Sequence, residues 1–536
     1  MVGIQQPPPD YDMIIVGAGF AGVTLLYHLR KQGHRCRVLE AGSDLGGTWF
    51  WNRYPGARVD TEAPFYGLSI PEIWESWQWS EKFPSQPELR RYFAHLDKML
   101  GLKQDIDFHT RVTHGQFRED RWHITIADGR HLTSRFLIAC PGPGTVPHIP
   151  SFPGLESFQG TVTHSYEWPE EGIELAGKRA AVIGTGASGV QIVQDWAKRA
   201  QHLTVFQRTP NTALPMQAEG WMPDTTLTHA AFCNYRNTHF SGVNYQFTPI
   251  NTFDVADPAA RKAFRESLWQ RGGFPYVYAN YQDVMINPAA NREMYDFWAS
   301  KTRARIIDPR KRDLLAPLEP LHPMGAKRPT VELDYYDQFN RPNVDLVDLR
   351  STRIHSFEPK GLTTTDGRFF PLDVVALATG FDMITGGLTH MGLQSVDGDS
   401  LYDQWRGDGG VKTYLGMSIH GYPNMFFLAG PQGPLSFSSG PIGIEVQCQL
   451  ICDAIQSLHV GGHTIFEPTA PAQEAWSQRV KAMFDETLFL QSPDSWFLGG
   501  NIPGKKRELL TYAAGLPQYQ KDCHKAFGTW EGFVRK

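Results

Sequence analysis

Three glycines, Gly17, Gly19 and Gly22, stand between the apolar run MIIV and a helix-forming stretch, and a second apolar run follows that ends in Glu40. That order of strand, glycine turn, helix and strand leaves few folds open. The first glycine permits a tight turn, the second lets a backbone approach a pyrophosphate, and the third lets the helix lie close on its strand. Phosphates then sit at the positive end of the helix. An acid roughly 20 residues beyond the turn is placed to bind a ribose 2′-hydroxyl, and Glu40 stands there.

The unit recurs. KRAAVIGTGASG carries Gly184, Gly186 and Gly189, and the strand after it, Leu203 to Gln207, ends at Arg208 and Thr209 instead of an acid. A cation and a hydroxyl at that place suit a ribose 2′-phosphate. The first unit therefore reads as an FAD site and the second as a site for NADPH rather than NADH. The expected fold class is α/β, with two Rossmann-like dinucleotide-binding domains and a helical insertion. Residues 1–145 and 373–536 are expected to form the FAD-binding domain, 146–220 and 321–372 the NADP-binding domain, and 221–320 the insertion.

Supporting elements follow from turn chemistry. Asp-Gly pairs predict hairpins over Trp122 to Ile138, around Asp128 and Gly129, and over Ile354 to Leu377, around Asp366 and Gly367. The second ends in VVALATGFD, where Ala378, Thr379 and Gly380 lack the bulk that would keep backbone from a flavin. KAFRESLWQ and REMYDFWASKTRARI have apolar positions near helical spacing, which is the basis for the insertion. Arg310, Lys311 and Arg312, flanked by Asp308 and Asp313, read as a solvated helix end.

Composition removes several classes of function. Hydrophobic residues make up 41% and charged residues 20%, too apolar for a disordered chain. With 51 Lys and Arg against 56 Asp and Glu, the chain lacks the basic excess that nucleic-acid binding demands. No window of about 20 apolar residues is present for a membrane span, and the charge-free stretch from Thr413 to Ile444 is broken by Gly, Pro and Ser, so it reads as buried loops. The opening MVGIQQPPPDYD has neither the basic region nor the apolar run of a secretory signal, and a cytoplasmic location is expected. Six cysteines include no CxxC pair and no ligand-spaced cluster with His, so neither a redox dithiol nor a metal site is expected, and Cys448 and Cys452 read as small buried hydrophobes on one helix face.

Flavin and nicotinamide in one chain imply hydride transfer, and the missing dithiol disfavours disulfide reduction. A carrier protein or quinone, dioxygen, and a non-catalytic NADP-sensing switch remain open. Dioxygen chemistry needs a water-poor site with a fixed cation.

Four ordered motifs narrow the choice. FQGTVTHSYEWP, with Phe158, Gly160, His164, Trp168 and Pro169, resembles the fingerprint of the type I Baeyer–Villiger monooxygenases. GGTWFWNRYPGARVD from Gly46 to Asp60 resembles a second family block, GAKRPTVELDYYDQFNRPNV from Gly325 to Val344 a third, and DSWFLGGNIPGKK from Asp494 to Lys506 the C-terminal segment. The resemblance runs from Tyr11 to about Val534. Flavin monooxygenases that oxidise nitrogen or sulfur carry a related fingerprint but lack the third segment as a rule.

What the resemblance implies is an NADPH- and O2-dependent flavoprotein that converts ketones to esters or lactones through a C4a-peroxyflavin. Its alternatives are an N- or S-oxygenating flavin monooxygenase or an NADPH-dependent flavin reductase. Arg328 is then the active-site cation, with Lys327 beside it and Asp60 orienting and tempering it. Gly47, Thr48, Trp49 and Tyr54 pack around the flavin, Thr379 and Gly380 approach it, and Trp496 lies near the nicotinamide ribose. His164 is structural and links domains. The sequence departs from the family at ACPGPG, where Cys140 and Pro141 replace an ATG-like close, and the loop from Pro431 to Gly443 borders the substrate.

Overall fold

The computed structural model describes residues 7–407, 409–492 and 494–536. Residues 1–6 of the opening segment, read above for a secretory signal, lie outside them.

The apolar runs beside the glycine turns become parallel strands. Tyr11–Val16 pairs in parallel with Cys36–Leu39 on one side and His131–Ala139 on the other. Strands buried on both faces need no polar alternation, which is why MIIV reads as an unbroken apolar run. The sheet has eight strands, ordered Leu393–Gln394, Val112–Arg118, Arg121–Ile126, His131–Ala139, Tyr11–Val16, Cys36–Leu39 and Ile106–Asp107, with Met425–Phe427 also paired to His131–Ala139. The hairpin expected around Asp128 and Gly129 joins Arg121–Ile126 to His131–Ala139, and Gly129 takes φ +90° in its turn. Helix Phe20–Lys31 is buried from Phe20 to Leu26 because the 21-residue helix Gly440–Val460 covers its outer side. Cys448 and Cys452 are buried on that covering helix as free thiols.

A second, five-stranded parallel sheet runs Val344–Asp348, His202–Gln207, Arg179–Ile183, Val374–Leu377 and Thr161–His164. One expected boundary is corrected here. Val374–Leu377 pairs with Arg179–Ile183 and Thr161–His164, so it belongs to the second unit although it follows residue 372. The second hairpin is likewise shorter than expected. Gly361–Thr364 and Phe369–Pro371 pair around Asp366 and Gly367, with Ile354–Glu358 as the third strand of a meander, but Val374–Leu377 leaves it for the parallel sheet.

The insertion is helical, as its periodicity predicts. Helices Pro258–Arg271, Pro288–Arg303 and Pro309–Leu315 each start with Pro after Asp257, Asn287 or Asp308, whose side chain accepts from the first free backbone N–H groups. The Arg310 to Arg312 cluster is the start of a helix and is only partly solvated. Lys311 is buried, with its ammonium donating to the carbonyls of Phe339 and Val344 at 2.9 and 2.7 Å. The charge-free stretch is largely buried loop, as expected, but includes strand Met425–Phe427 and the start of helix Gly440–Val460. No helix among the described residues is long and apolar enough to cross a membrane.

Candidate functional site

At the first glycine turn, Gly17 takes φ +105°, and a Cβ there would lie 2.4 Å from the Cys140 carbonyl oxygen. Gly22 has no room either, since its Cβ would fall 1.8 Å from the Gly17 oxygen. Gly19 stands before helix Phe20–Lys31, whose first turn carries no acid to oppose a bound anion. Facing it is Gly47, and a Cβ on Gly47 would come within 2.8 Å of the Gly19 Cα. Glu40 is 4% exposed. Its two oxygens accept from the N–H groups of Ala18 and Gly42, each at 2.7 Å.

These residues wall a cavity of about 430 Å³, lined by Gly17, Gly19, Glu40, Gly47, Thr48 and Trp49 together with Cys140, Pro141 and Gly142. The departure at Cys140 and Pro141 is absorbed locally. Cys140 donates to the Val16 carbonyl at 2.8 Å, and Gly142 supplies the positive φ, +83°. A glycine-walled cleft at a helix N-terminus, with a fixed carboxylate at the end of the second strand, matches a dinucleotide in shape and donor chemistry. The residues present therefore fit FAD.

The second turn repeats this plan. Gly184 has φ +106° beside the Ala378 oxygen, and Gly189 lies against the Gly184 oxygen, whereas a Cβ on Gly186 would meet nothing within 4 Å. Arg208 is exposed at the end of His202–Gln207, and the Thr209 carbonyl accepts from the Thr185 hydroxyl at 2.7 Å. Burial lowers the Lys327 pKa, Asp494 opposes that shift, and Arg208 adds to it. Two cations that feel each other suit a phosphate. These residues fit NADPH.

Near the first cavity lies an ion pair joining residues far apart in sequence. Arg328 donates from Nε and Nη2 to the two Asp60 oxygens at 3.0 and 3.1 Å, and from Nη1 to the Ser436 carbonyl at 3.0 Å. Its guanidinium lies 4.6 Å from the centre of the Phe274 ring. The side chains of Arg328 and Asp60 are 23% and 25% exposed, so the pair is held but not sealed. Burial disfavours the charge on Arg328, but Asp60 outweighs it and the net pKa shift is upward. Tyr66, which lines the cavity, feels both Asp60 and Arg328, as do Tyr245 and Tyr278 from the insertion. The Tyr278 hydroxyl and the Ser436 Oγ are buried without a partner, so two donors stand unused beside the fixed cation.

Not every expected flavin contact lines the cavity. Tyr54 is buried instead against the second unit, donating to Gln191 Oε1 at 2.8 Å, while Gln191 donates to the Arg58 carbonyl at 3.1 Å. Thr379 and Gly380 lie at the end of the second sheet and are not among the residues lining the first cavity, because the strand before them pairs in that sheet. Thr379 donates to the His148 carbonyl at 2.6 Å. Trp496 packs on Phe497 in a C-terminal segment tied to the same region through Asn501, which donates to the Phe381 carbonyl at 2.8 Å.

His164 is buried, and burial pushes its pKa down to about 4, partly offset by its bond to the Gly380 carbonyl. Nε2 donates to that carbonyl at 3.1 Å, which leaves Nδ1 to accept from the Tyr166 N–H at 3.2 Å. A neutral, doubly engaged imidazole between Thr161–His164 and the turn after Val374–Leu377 is a structural tie.

Ser436 lies in the Pro431 to Gly443 loop already expected to border the substrate, whereas sequence reasoning missed Tyr245, Tyr278, Phe274 and Tyr66. The insertion aromatics carry no motif. Tyr66 follows the GGTW block closely enough that its place in an aromatic, cavity-lining segment could have been suspected.

The profile of an NAD(P)-binding Rossmann-like domain matches residues 15–96, and that of L-lysine 6-monooxygenase/L-ornithine 5-monooxygenase matches residues 77–236. The chain is 43% identical to the FAD-binding monooxygenase acrE of Aspergillus aculeatus, over 99% of this chain and 90% of the relative. It is 42% identical to cyclopentanone 1,2-monooxygenase of a Comamonas species, over 95% of this chain and 92% of the relative. Among solved structures, OTEMO in complex with FAD and NADP superposes with a TM-score of 0.93 at 34% identity, covering 99% of this chain and all of the other.

Proposed function

The chain belongs to the type I Baeyer–Villiger monooxygenases, and from that premise we propose that it uses FAD, NADPH and dioxygen to convert a ketone to an ester or lactone. The observation that carries the reading is the Asp60–Arg328 pair, near the glycine-walled cavity and next to unused hydroxyl donors. Overall, ketone, O2, NADPH and a proton become ester, water and NADP⁺.

FAD, when bound, would supply the redox chemistry, hydride acceptance and oxygen activation. The chain supplies position and charge. Gly17, Gly19 and Gly47 admit the FAD pyrophosphate, and Glu40, already oriented by two backbone N–H groups, takes ribose hydroxyls. Arg208 and Lys327 would hold the NADPH 2′-phosphate, and Trp496 would lie near the nicotinamide ribose.

Arg328 is a permanent cation with a planar fork. Asp60 and the Ser436 carbonyl keep the guanidinium in one orientation, and the second N–H of Nη1 and of Nη2 is left for negative charge that develops on oxygen. The unpartnered Tyr278 and Ser436 hydroxyls are the candidate donors to the ketone, and Tyr245, Tyr278 and Phe274 limit water around the charge. Six free thiols accord with a cytoplasmic location.

The L-lysine/L-ornithine profile favours a second reading, nitrogen oxygenation. Its match covers less than a third of the chain, beginning after Asp60 and ending before Arg328, so it supports the shared nucleotide frame alone. The two readings part under isotopically labelled oxygen gas, with a panel of cyclic, aryl and aliphatic ketones set against amines and sulfides. One labelled atom in an ester or lactone per NADPH is expected. Labelled N- or S-oxides, with every ketone untouched, would reverse the assignment.

A further inference from the structure

Tyr166 sits inside the fingerprint at a position the motif leaves variable, after the strand Thr161–His164 of the second sheet, yet its side chain lines the first cavity. There its ring stacks on Trp51, which lines the same cavity from the first unit, with centroids 5.4 Å apart and planes 18° from parallel. On its other side Tyr166 meets Phe381 edge-on at 5.8 Å, and Phe381 meets the pinned His164 ring edge-on at 5.2 Å. Four rings thus run without a break from the cavity wall to the end of the second sheet.

The stack has a definite place along the cavity. Tyr166 feels Arg111 and Glu40, and burial, the larger influence, pushes its phenol pKa up. Glu40 marks the ribose of the adenosine half, whereas Tyr66, which feels Arg328, marks the reacting half. A stacked ring pair adds attraction beyond its buried area, and a flat aromatic wall is a good neighbour for a purine or ribose face.

We infer that Tyr166 and Trp51 form an aromatic clasp across the two units that retains FAD by its adenosine half. The inference rests on the reading of this cavity as the FAD site. It gives the fingerprint a task besides linking domains, which is to close the cofactor cavity of one unit with a side chain from the other.

The test is FAD release from the holoenzyme, followed by the rise in flavin fluorescence on dilution and by flavin left after ultrafiltration. The variants are Tyr166→Ala, Tyr166→Phe, Trp51→Leu and the Tyr166→Ala/Trp51→Leu double. Tyr166→Ala is expected to raise the FAD dissociation constant tenfold to a hundredfold, and Tyr166→Phe to stay within about threefold of the parent. Trp51→Leu should match Tyr166→Ala, and the double variant should lose little more than either, because both remove one shared contact. The melting temperature of the FAD-free protein should move little, which a purely structural pair would not allow. Parent-like retention in Tyr166→Ala, or losses that multiply in the double, would overturn the clasp. If Tyr166→Ala does not fold, parent-like retention in Trp51→Leu has the same force. A parent protein that binds no FAD would instead overturn the functional reading beneath it.

Discussion

In both nucleotide units the first glycine holds nearly the same φ, +105° at Gly17 and +106° at Gly184, and an added Cβ would fall 2.4 Å from a carbonyl oxygen, that of Cys140 or that of Ala378. The helices after them begin alike, on Gly19 and Gly186 in extended conformation. The units part at what surrounds these turns. Gly19 packs directly on Gly47 in the wall of a cavity, and Glu40 is buried, whereas Gly186 has open space and Arg208 reaches solvent. The fold thus dictates the turn, and its neighbours decide whether a ligand is enclosed or free to exchange. A resident FAD and a consumed NADPH need that difference.

If the units do separable jobs, Arg328→Ala should split them. Reduction of the flavin by NADPH is expected to stay within about tenfold of the parent by stopped-flow, while ester formation falls a hundredfold to a thousandfold, or about 2.7 to 4 kcal/mol. Equal losses in both half-reactions would show that Arg328 serves both units alike.

Acid should act on the second unit. His164 has a folded pKa near 4, below the 6.5 of an unperturbed histidine, so the unfolded chain takes up a proton that the folded chain refuses. The stability this gives at neutral pH is lost as the pH falls from about 6.5 toward 4, amounting to about 2 to 3 kcal/mol at pH 4.5. Denaturant titrations at pH 7 and pH 4.5 should show that much less acid loss in His164→Gln. An identical loss in the variant would assign the acid sensitivity to other groups.

Arg208→Ala sharpens the contrast at the nucleotide ends. Loss of one charge-assisted phosphate contact costs about 1.5 to 3 kcal/mol, so the KM for NADPH should rise tenfold to a hundredfold while FAD content holds. An unchanged NADPH preference over NADH would remove the reason for calling the second site NADP-specific. The smallest effect is expected at Gly186→Ala, where a methyl enters open space at ordinary φ. Unfolding free energy should change by less than about 1 kcal/mol. A larger loss would mean that the second turn is as confined as the first.

The turns themselves were legible because glycine spacing, strand composition and the residue ending the second strand are local signals. Arg328 and Asp60 were not legible from spacing, since 268 residues separate them, and came from motif resemblance. The placement of Val374–Leu377 was misjudged because an apolar strand after a hairpin carries no mark of which sheet it will join. Lys311 looked solvated among its charged neighbours because only the fold brings the Phe339 and Val344 carbonyls to its ammonium. Tyr166 and Trp51 stood inside quoted motifs, but a stack between two motifs is a property of the folded chain.

The sheet around Tyr11–Val16 takes its last strands from Leu393–Gln394 and Met425–Phe427, while the strands of the second sheet all lie between Thr161 and Leu377. On a ribosome the order of completion is therefore inverted relative to the order of the two glycine turns. The NADP unit has all its strands while the FAD unit still waits for residues some 50 positions further on, a delay of seconds at ordinary rates of synthesis. The sheet that begins first in the chain is the last of the two to have all its strands.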